Sequence, residues 1–220
     1  MKKELTIKGK KFVFEEEVIT YDHEPIKYED AKTILCYAKK MLDSKEIPFF
    51  LFWGTLLGAI REHSIIKGDD DIDIAIMDEN ALIENLPFFY ENGFKVVRME
   101  KGHLYSFRIA NTECYIDIYI VKPIKCSLWT PFCYTISKHY LPKKYFKYFD
   151  KISFLDVDCL IPNHSEEVLE LLYGKNWKIP MKGAKSFGEV KSAYYYHLFK
   201  FKFLKKIIFY DKWYKLIKKR

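Results

Sequence analysis

The chain has 220 residues, enough for one domain with a sizeable core but short for two complete domains. Apolar residues make up 49% and charged residues 30%, with 9 Gly and 8 Pro, which excludes disordered, collagen-like and low-complexity chains. Of the 37 basic and 30 acidic residues behind the net +7, nine basic and one acidic residue lie between Lys200 and Arg220, leaving 28 basic and 29 acidic residues elsewhere. The body is thus nearly neutral, which argues against a nucleic-acid groove.

In chain order, Leu5 and Ile7, then Lys8-Gly9-Lys10, then Phe12 and Phe14 predict a short N-terminal hairpin. No apolar h-region follows the basic start, so a signal peptide is not expected. Ala31, Ile34, Leu35, Ala38, Met41 and Leu42 recur at helical spacing between Tyr28 and Glu46 and predict an amphipathic helix ending before Pro48. Phe49 to Trp53 reads as a buried strand that stops at Gly54-Thr55, with a short helix from Leu56 to Glu62. Asp71 to Met77 alternates acid and aliphatic, a strand with one core face and one polar face. Glu79 to Asn92 reads as a helix weakened by Pro87, and Phe94 to Met99, Leu104 to Ala110 and Cys114 to Val121 as strands.

After Pro123 the pattern weakens, predicting irregular structure or short helices to Tyr148. Ile152 to Ile161 reads as a strand pair or one long strand. Ser165 to Tyr173 reads as a helix with Glu166 and Glu167 in its first turn and Gly174 as its cap. The expected organisation is a single α+β domain over residues 1–190 followed by a basic aromatic tail over 191–220. The five cysteines form no C-x-x-C pair; Cys126 and Cys133 with His139 fit no usual zinc spacing, so reduced, buried or half-buried thiols are expected.

The run Gly68-Asp69-Asp70-Asp71-Ile72-Asp73 concentrates four carboxylates. On a strand Asp71 and Asp73 share one face roughly 6–7 Å apart, repel each other, and become compatible when a hard divalent cation lies between them. Ile72 and Ile74 anchor the opposite face. Tyr115-Ile116-Asp117-Ile118-Tyr119 repeats the pattern with one acid, so Asp117 can complete a three-carboxylate metal site or take a proton from an attacking hydroxyl. Gly54 and Thr55 offer backbone N–H groups and a hydroxyl to a phosphate. Arg61, Lys67 and Arg108 are candidates to balance phosphate charge, with a helix cap for Arg61 and a sheet-surface salt bridge for Arg108 as the structural alternatives. A run of aspartates alone is often solvated surface, and Asp156 with Asp158 shows how common the spacing is; that pair reads as the outward face of a strand.

The order of parts, apolar strand, Gly54-Thr55, helix, hDhDh and then hDh, resembles the nucleotidyltransferase superfamily with its polymerase-β-like mixed sheet flanked by helices. More specifically, GTLLGAIREHSIIKGDDDIDIAI resembles the signature of the LicD family, which includes the fukutin-related proteins. Ile161-Pro162, Leu169, Tyr173-Gly174, Trp177 and Pro180 resemble that family's closing pattern, so the resemblance spans Tyr28 to Pro180. It implies Asp71, Asp73 and Asp117 as metal ligands and catalytic carboxylates, Gly54 and Thr55 as the phosphate turn, and Arg61 as the family arginine. It also implies Mg²⁺ or Mn²⁺ and transfer of a phospho-alcohol such as phosphocholine from a CDP-activated donor to a sugar hydroxyl. The acceptor would be a cell-surface glycan or lipid-linked glycan, as in lipopolysaccharide or capsule synthesis. The family's usual Pro-Trp before the acids is replaced here by Lys67-Gly68. Trp177 reads as a packing aromatic.

Two other functions fit the same residues: transfer of a nucleoside monophosphate from an NTP onto a small molecule or protein, and a non-catalytic membrane-surface protein. In the tail, Phe203, Ile207, Tyr210, Tyr214 and Ile217 lie on one side of a helical wheel, with Lys205, Lys212, Lys215, Lys219 and Arg220 mostly opposite. That pattern predicts a basic amphipathic helix on an anionic membrane surface through Lys200 to Arg220, and a cytoplasmic protein held peripherally at the inner membrane face.

Overall fold

The computed structural model describes residues 2–17, 24–109, 112, 114–123, 133–137 and 139–180. The chain divides into two compact units, Met1–Ser165 and Glu166–Arg220. The expected tail helix over 191–220 lies outside the described residues.

The first unit opens with the expected hairpin, β1 (Lys2–Ile7) and β2 (Lys10–Glu15), turning through Lys8 and Gly9 at positive φ. Helix α1 (Tyr28–Asp43) buries Ala31, Ile34, Leu35, Ala38, Met41 and Leu42, the stripe its spacing predicts. The strand after it is shorter than expected. β3 covers Phe49–Leu51, and Trp53 already begins α2 (Trp53–Leu57), so Gly54 and Thr55 sit in the first turn of a helix. A wider turn of π type, Gly58–Glu62, completes this segment. Gly58 is required there, because a Cβ would stand 2.5 Å from the Ser64 carbonyl oxygen.

Strand β4 (Asp71–Ile76) follows, and the expected helix over 79–92 is two helices, α3 (Glu79–Glu84) and α4 (Leu86–Glu91). Pro87 has no N–H for the turn before it, and its ring excludes a continuous helix. The Asp78 side chain caps α3 by accepting from the Ala81 N–H at 3.0 Å. Strands β5 (Phe94–Glu100), β6 (Leu104–Ile109) and β7 (Tyr115–Pro123) come next. The stretch read as irregular or helical contains β8 (Cys133–Ile136) and β9 (His139–Pro142), with a 3₁₀ turn at Lys143–Phe146. Four-residue strands in an aromatic, basic context are too short to show a period. The last hairpin is a strand pair, β10 (Phe149–Phe154) and β11 (Val157–Pro162), turning at Leu155 and Asp156, both at positive φ. Asp156 therefore sits in a turn and not on a strand face.

The central sheet has the order β10-β11-β3-β4-β7-β6-β5, with β8 and β9 continuing from the end of β7. β4 pairs in parallel with β7 and with β11's parallel neighbour β3 in antiparallel fashion. This is the expected α+β mixed sheet flanked by helices. Ile72, Ile74 and Ile76 on β4 lie beside Ile116, Ile118 and Ile120 on β7, all buried. Each such side chain contributes about 1.5–3 kcal/mol by leaving water. Ala38, Met41 and Leu42 of α1 and Phe89 of α4 meet Phe94, Phe107 and Ile118 on this face. The opposite face of the same strands carries the polar alternates.

Helix α5 covers Ser165–Tyr173, its first residue the last of the first unit, with Glu166 and Glu167 in its first turn and Gly174 at φ 83° after its end. Trp177 is buried. Among the described residues no helix is long and apolar enough to cross a membrane.

Candidate active site

The alternation of β4 and β7 sets the chemistry. With Ile72 and Ile116 in the core, Asp71, Asp73, Tyr115, Asp117 and Tyr119 must face the other way. The parallel register places Asp73 directly beside Asp117. Ligand oxygens of Asp71, Asp73 and Asp117 lie within 4.8 Å of one another, and Asp69, Asp70 and Asp71 form a second such group that shares Asp71. Asp73 and Asp117 are buried.

Helix α2 locks this cluster in place. The Gly54 N–H donates to Asp73 Oδ2 at 3.1 Å, the Asp73 N–H donates to Thr55 Oγ1 at 2.8 Å, and the Phe52 N–H donates to the Asp73 carbonyl at 3.2 Å. A Cβ on Gly54 would stand 2.7 Å from Asp69 Oδ2 and 3.4 Å from Asp73 Oδ2, so only glycine lets the backbone pass this close to the acids. The preceding Trp53 holds φ 44°, a left-handed conformation that costs a bulky residue on the order of 1–3 kcal/mol. Its ring stands edge-on to Tyr119 at 5.9 Å and to His139 at 4.8 Å. Trp53 is only 7% exposed, and its indole N–H has no hydrogen-bond partner among the described residues.

Burial and mutual repulsion raise the carboxyls together. Asp73 is pushed well above the ordinary carboxylate range by burial first and then by Asp71, Asp117 and Asp69. Asp71 is pushed up by burial, then by Asp117, Asp69 and Asp70. Burial also raises Asp117, against the Ser106 hydroxyl and the Arg98 charge, which lower it. Asp69 rises to about 6, by burial and then by Asp70. Convergent, buried and mutually repelling carboxylates suit a divalent cation, which removes the repulsion and supplies the missing counter-charge. The cluster can therefore hold a divalent metal.

The other predicted residues distribute less simply. Arg61, mostly buried, donates from Nε to Glu62 at 2.7 Å within the π-type turn. Lys67 and Gly68 are exposed on the loop before the acids. Arg108 is held by Glu17, at 2.6 and 3.0 Å, which is its salt-bridge alternative. Asp158 is exposed, and Asp156 pairs with Lys32 at 2.6 Å. Sequence reasoning missed Asp69, Trp53, Tyr119, Ser106 and Arg98. Tyr119 was within reach of it, two residues from Asp117 on the same strand face. Ser106 and Arg98 come from strands whose register only the folded sheet reveals.

Residues 46–164 match the family model described as LicD/FKTN/FKRP, nucleotidyltransferase domain. The chain belongs to the LicD/FKTN/FKRP family. The matched span contains every predicted site residue and stops short of the Tyr173-Gly174 and Trp177 block. Ribitol-5-phosphate transferase FKTN of Mus musculus is 30% identical over 162 residues, 69% of this chain and 34% of that protein; the Homo sapiens protein is 28% identical over the same shares. An uncharacterized protein of Rickettsia prowazekii is 38% identical over 88 residues, 39% of this chain and 31% of its own length. The chain thus spans about a third of the length of the curated relatives it matches. Among solved structures, it is similar to the lincosamide antibiotic adenylyltransferase LnuA, at TM-score 0.45 and 13% identity over 77% of this chain and 99% of that one. It is also similar to the antibiotic-resistance factor ANT(2'')-Ia, at TM-score 0.49 and 13% identity over 86% and 96%.

Proposed function

We propose that this chain transfers a phospho-alcohol from a CDP-activated donor to a sugar hydroxyl. The observation that carries the reading is the convergence of Asp71, Asp73 and Asp117 on one buried face, in a chain of the LicD/FKTN/FKRP family. Asp71, Asp73 and Asp117 are the catalytic residues and would hold Mg²⁺, or Mn²⁺ in its place, which when bound offsets charge on the donor diphosphate. Gly54 and Thr55 border Asp73 on the β3 side; with the Gly54 N–H given to Asp73 and Thr55 Oγ1 accepting from the Asp73 N–H, they shape the donor-phosphate side of the site by close approach, and Arg61 and Lys67 would contribute positive charge to it. Arg108 is engaged by Glu17.

In the reaction the acceptor hydroxyl oxygen bonds to the phosphorus distal to the nucleoside, and the bond from that phosphorus to the bridging oxygen breaks. CMP leaves with the bridging oxygen, and the hydroxyl proton passes to a carboxylate of the cluster, with Asp117 on the side away from Gly54. The transferred alcohol is phosphocholine-like or, by likeness to the FKTN relatives, a polyol phosphate such as ribitol phosphate. The domain over 1–190 would carry this chemistry, and Lys200 to Arg220 would hold it against an anionic, cytoplasmic membrane face near a lipid-linked glycan; equal liposome co-sedimentation with and without that segment overturns the membrane part.

The activity test incubates the chain with Mg²⁺ and CDP-choline, CDP-glycerol or CDP-ribitol, with CTP and ATP in parallel. CMP released from a CDP-alcohol and stopped by EDTA supports the reading. Pyrophosphate released from CTP or ATP, with no turnover of CDP-alcohols, replaces it with nucleotidyl transfer.

A further inference from the structure

The carboxylates lie in a row that continues across the sheet. Asp73 on β4 sits beside Asp117 on β7, Asp117 opposite Ser106 on β6, and Ser106 opposite Arg98 on β5. Residues directly paired across strands share a face, so Arg98 projects on the acid side of the sheet. A β-bulge puts it there. Phe94, Lys95 and Val96 pair with Ile109, Arg108 and Phe107, and continuing that register would set Val97 opposite Ser106. The register shifts by one residue between Val96 and Arg98, leaving Val97 extra and buried and turning Arg98 to the polar face. Bulges beside active sites re-aim a side chain in this way.

Three acids outside the cluster, Glu17, Glu79 and Glu100, are engaged by other side chains. Arg108 is taken by Glu17 and Lys122 by Glu79, while Glu100, two residues along β5, turns to His103 Nδ1 at 3.1 Å. Half-buried Arg98 makes no ion pair within 4 Å among the described residues, yet its charge acts on both Asp71 and Asp117. Its backbone stands about 10 Å from that of Asp117, two strand spacings away. With no ion pair among the described residues tying its guanidinium to the carboxylates, Arg98 is free to meet a substrate group that lies between the two strands.

The row also has a direction. Gly54 and Thr55 lie at its β4 end and Arg98 at its β5 end. In-line displacement puts the attacking and leaving oxygens on opposite sides of phosphorus. With the leaving CMP at the Gly54 end, the hydroxyl arrives from the Arg98 end. Resting on the phosphotransfer reading above, we propose that the acceptor carries an anionic group, a phosphate or a carboxylate, and that Arg98 binds it through its planar guanidinium fork.

The test uses calorimetry on the full chain with Mg²⁺ and CMP present. The titrants are glucose 6-phosphate, glucuronate and glucose. At least one anionic sugar binds about tenfold or more tightly than glucose, the size of one charge-assisted hydrogen bond. Phosphate against carboxylate is decided by which one does. Arg98→Gln brings that ligand to within about twofold of glucose, and Arg98→Lys keeps part of the preference because the charge survives without the fork. CDP affinity is the same in wild type and Arg98→Gln.

No measurable binding of either anion, or a preference that survives Arg98→Gln, overturns the proposal. So does a loss of CDP affinity in Arg98→Gln, which places the arginine on the donor. The CMP and Mg²⁺ titration reports separately on the phosphotransfer reading. Binding of both without an anionic preference leaves that reading standing and sinks this one, whereas an Arg98-dependent preference without CMP binding sinks that reading and with it the assignment of the anion to an acceptor.

Discussion

Asp71 and Asp73 on β4 and Asp156 and Asp158 at the β10–β11 hairpin share one spacing and a similar aliphatic setting. β4 is flanked by β3 and β7, so its acids are roofed by α2 on one side and joined by Asp117 on the other. The hairpin lies at the sheet's edge, where Asp158 is exposed and Asp156 answers Lys32 across water-accessible surface. One pair is forced together in a low-dielectric site and requires a counter-charge; the other is satisfied by solvent and one lysine. Carboxylate spacing alone therefore carries little functional information. The neighbouring strand supplies it.

The comparison breaks most sharply on activity. Asp73→Ala is expected to cut CMP release from a CDP-alcohol by about 1000-fold or more, the scale of losing a group that stabilises transition-state charge. Its circular dichroism spectrum should remain native. Asp156→Ala should leave turnover within about twofold, and a large loss there would erase the distinction between the two pairs.

Next comes stability around Thr55. Thr55→Val removes the acceptor of the buried Asp73 N–H, and an unsatisfied buried donor costs about 1–3 kcal/mol in urea denaturation. Gly54→Ala drives a methyl into Asp69 and Asp73. A fall in Mg²⁺ affinity by calorimetry is expected from it, with a smaller change in the unfolding midpoint.

The pH response belongs to the β4–β7 cluster. The folded-state values of Asp69, Asp71, Asp73 and Asp117 lie above their unfolded values, so the folded state binds protons more tightly than the unfolded chain. Their contribution is fully present below about pH 4 and is lost as pH rises through the folded values, near 6 for Asp69. In EDTA, the thermal midpoint should fall between pH 4 and pH 7 relative to Asp71→Asn, which flattens the curve. Mg²⁺ at pH 7 should restore the loss. The smallest effect is Asp158→Asn, an exposed side chain whose replacement should leave the melting midpoint at pH 7 that of the wild type.

Much of this site was legible in the chain because alternation is local. Ile72 and Ile74 place Asp71 and Asp73 on the other face whatever lies beside them, and Ile116 and Ile118 do the same for Asp117. Gly54 was legible as a close-approach glycine, but the object approached is the carboxylate cluster of Asp69 and Asp73. For Arg108 the sequence left phosphate and salt bridge both open, and nothing in its strand foretells Glu17, ninety-one residues away, as its partner. Pro87 announced a weak helix without showing that two helices result.

By itself, then, the sequence determined most of the elements up to β7, the two-faced strands and the identity of the acids, since period and propensity belong to neighbouring residues. Only the tertiary structure decided that β4 lies parallel to β7, which makes three carboxylates one site. It also decided that a bulge in β5 sets Arg98 in their row. Strand order and register arise from contacts between distant segments, and a one-residue shift reverses which side chains meet.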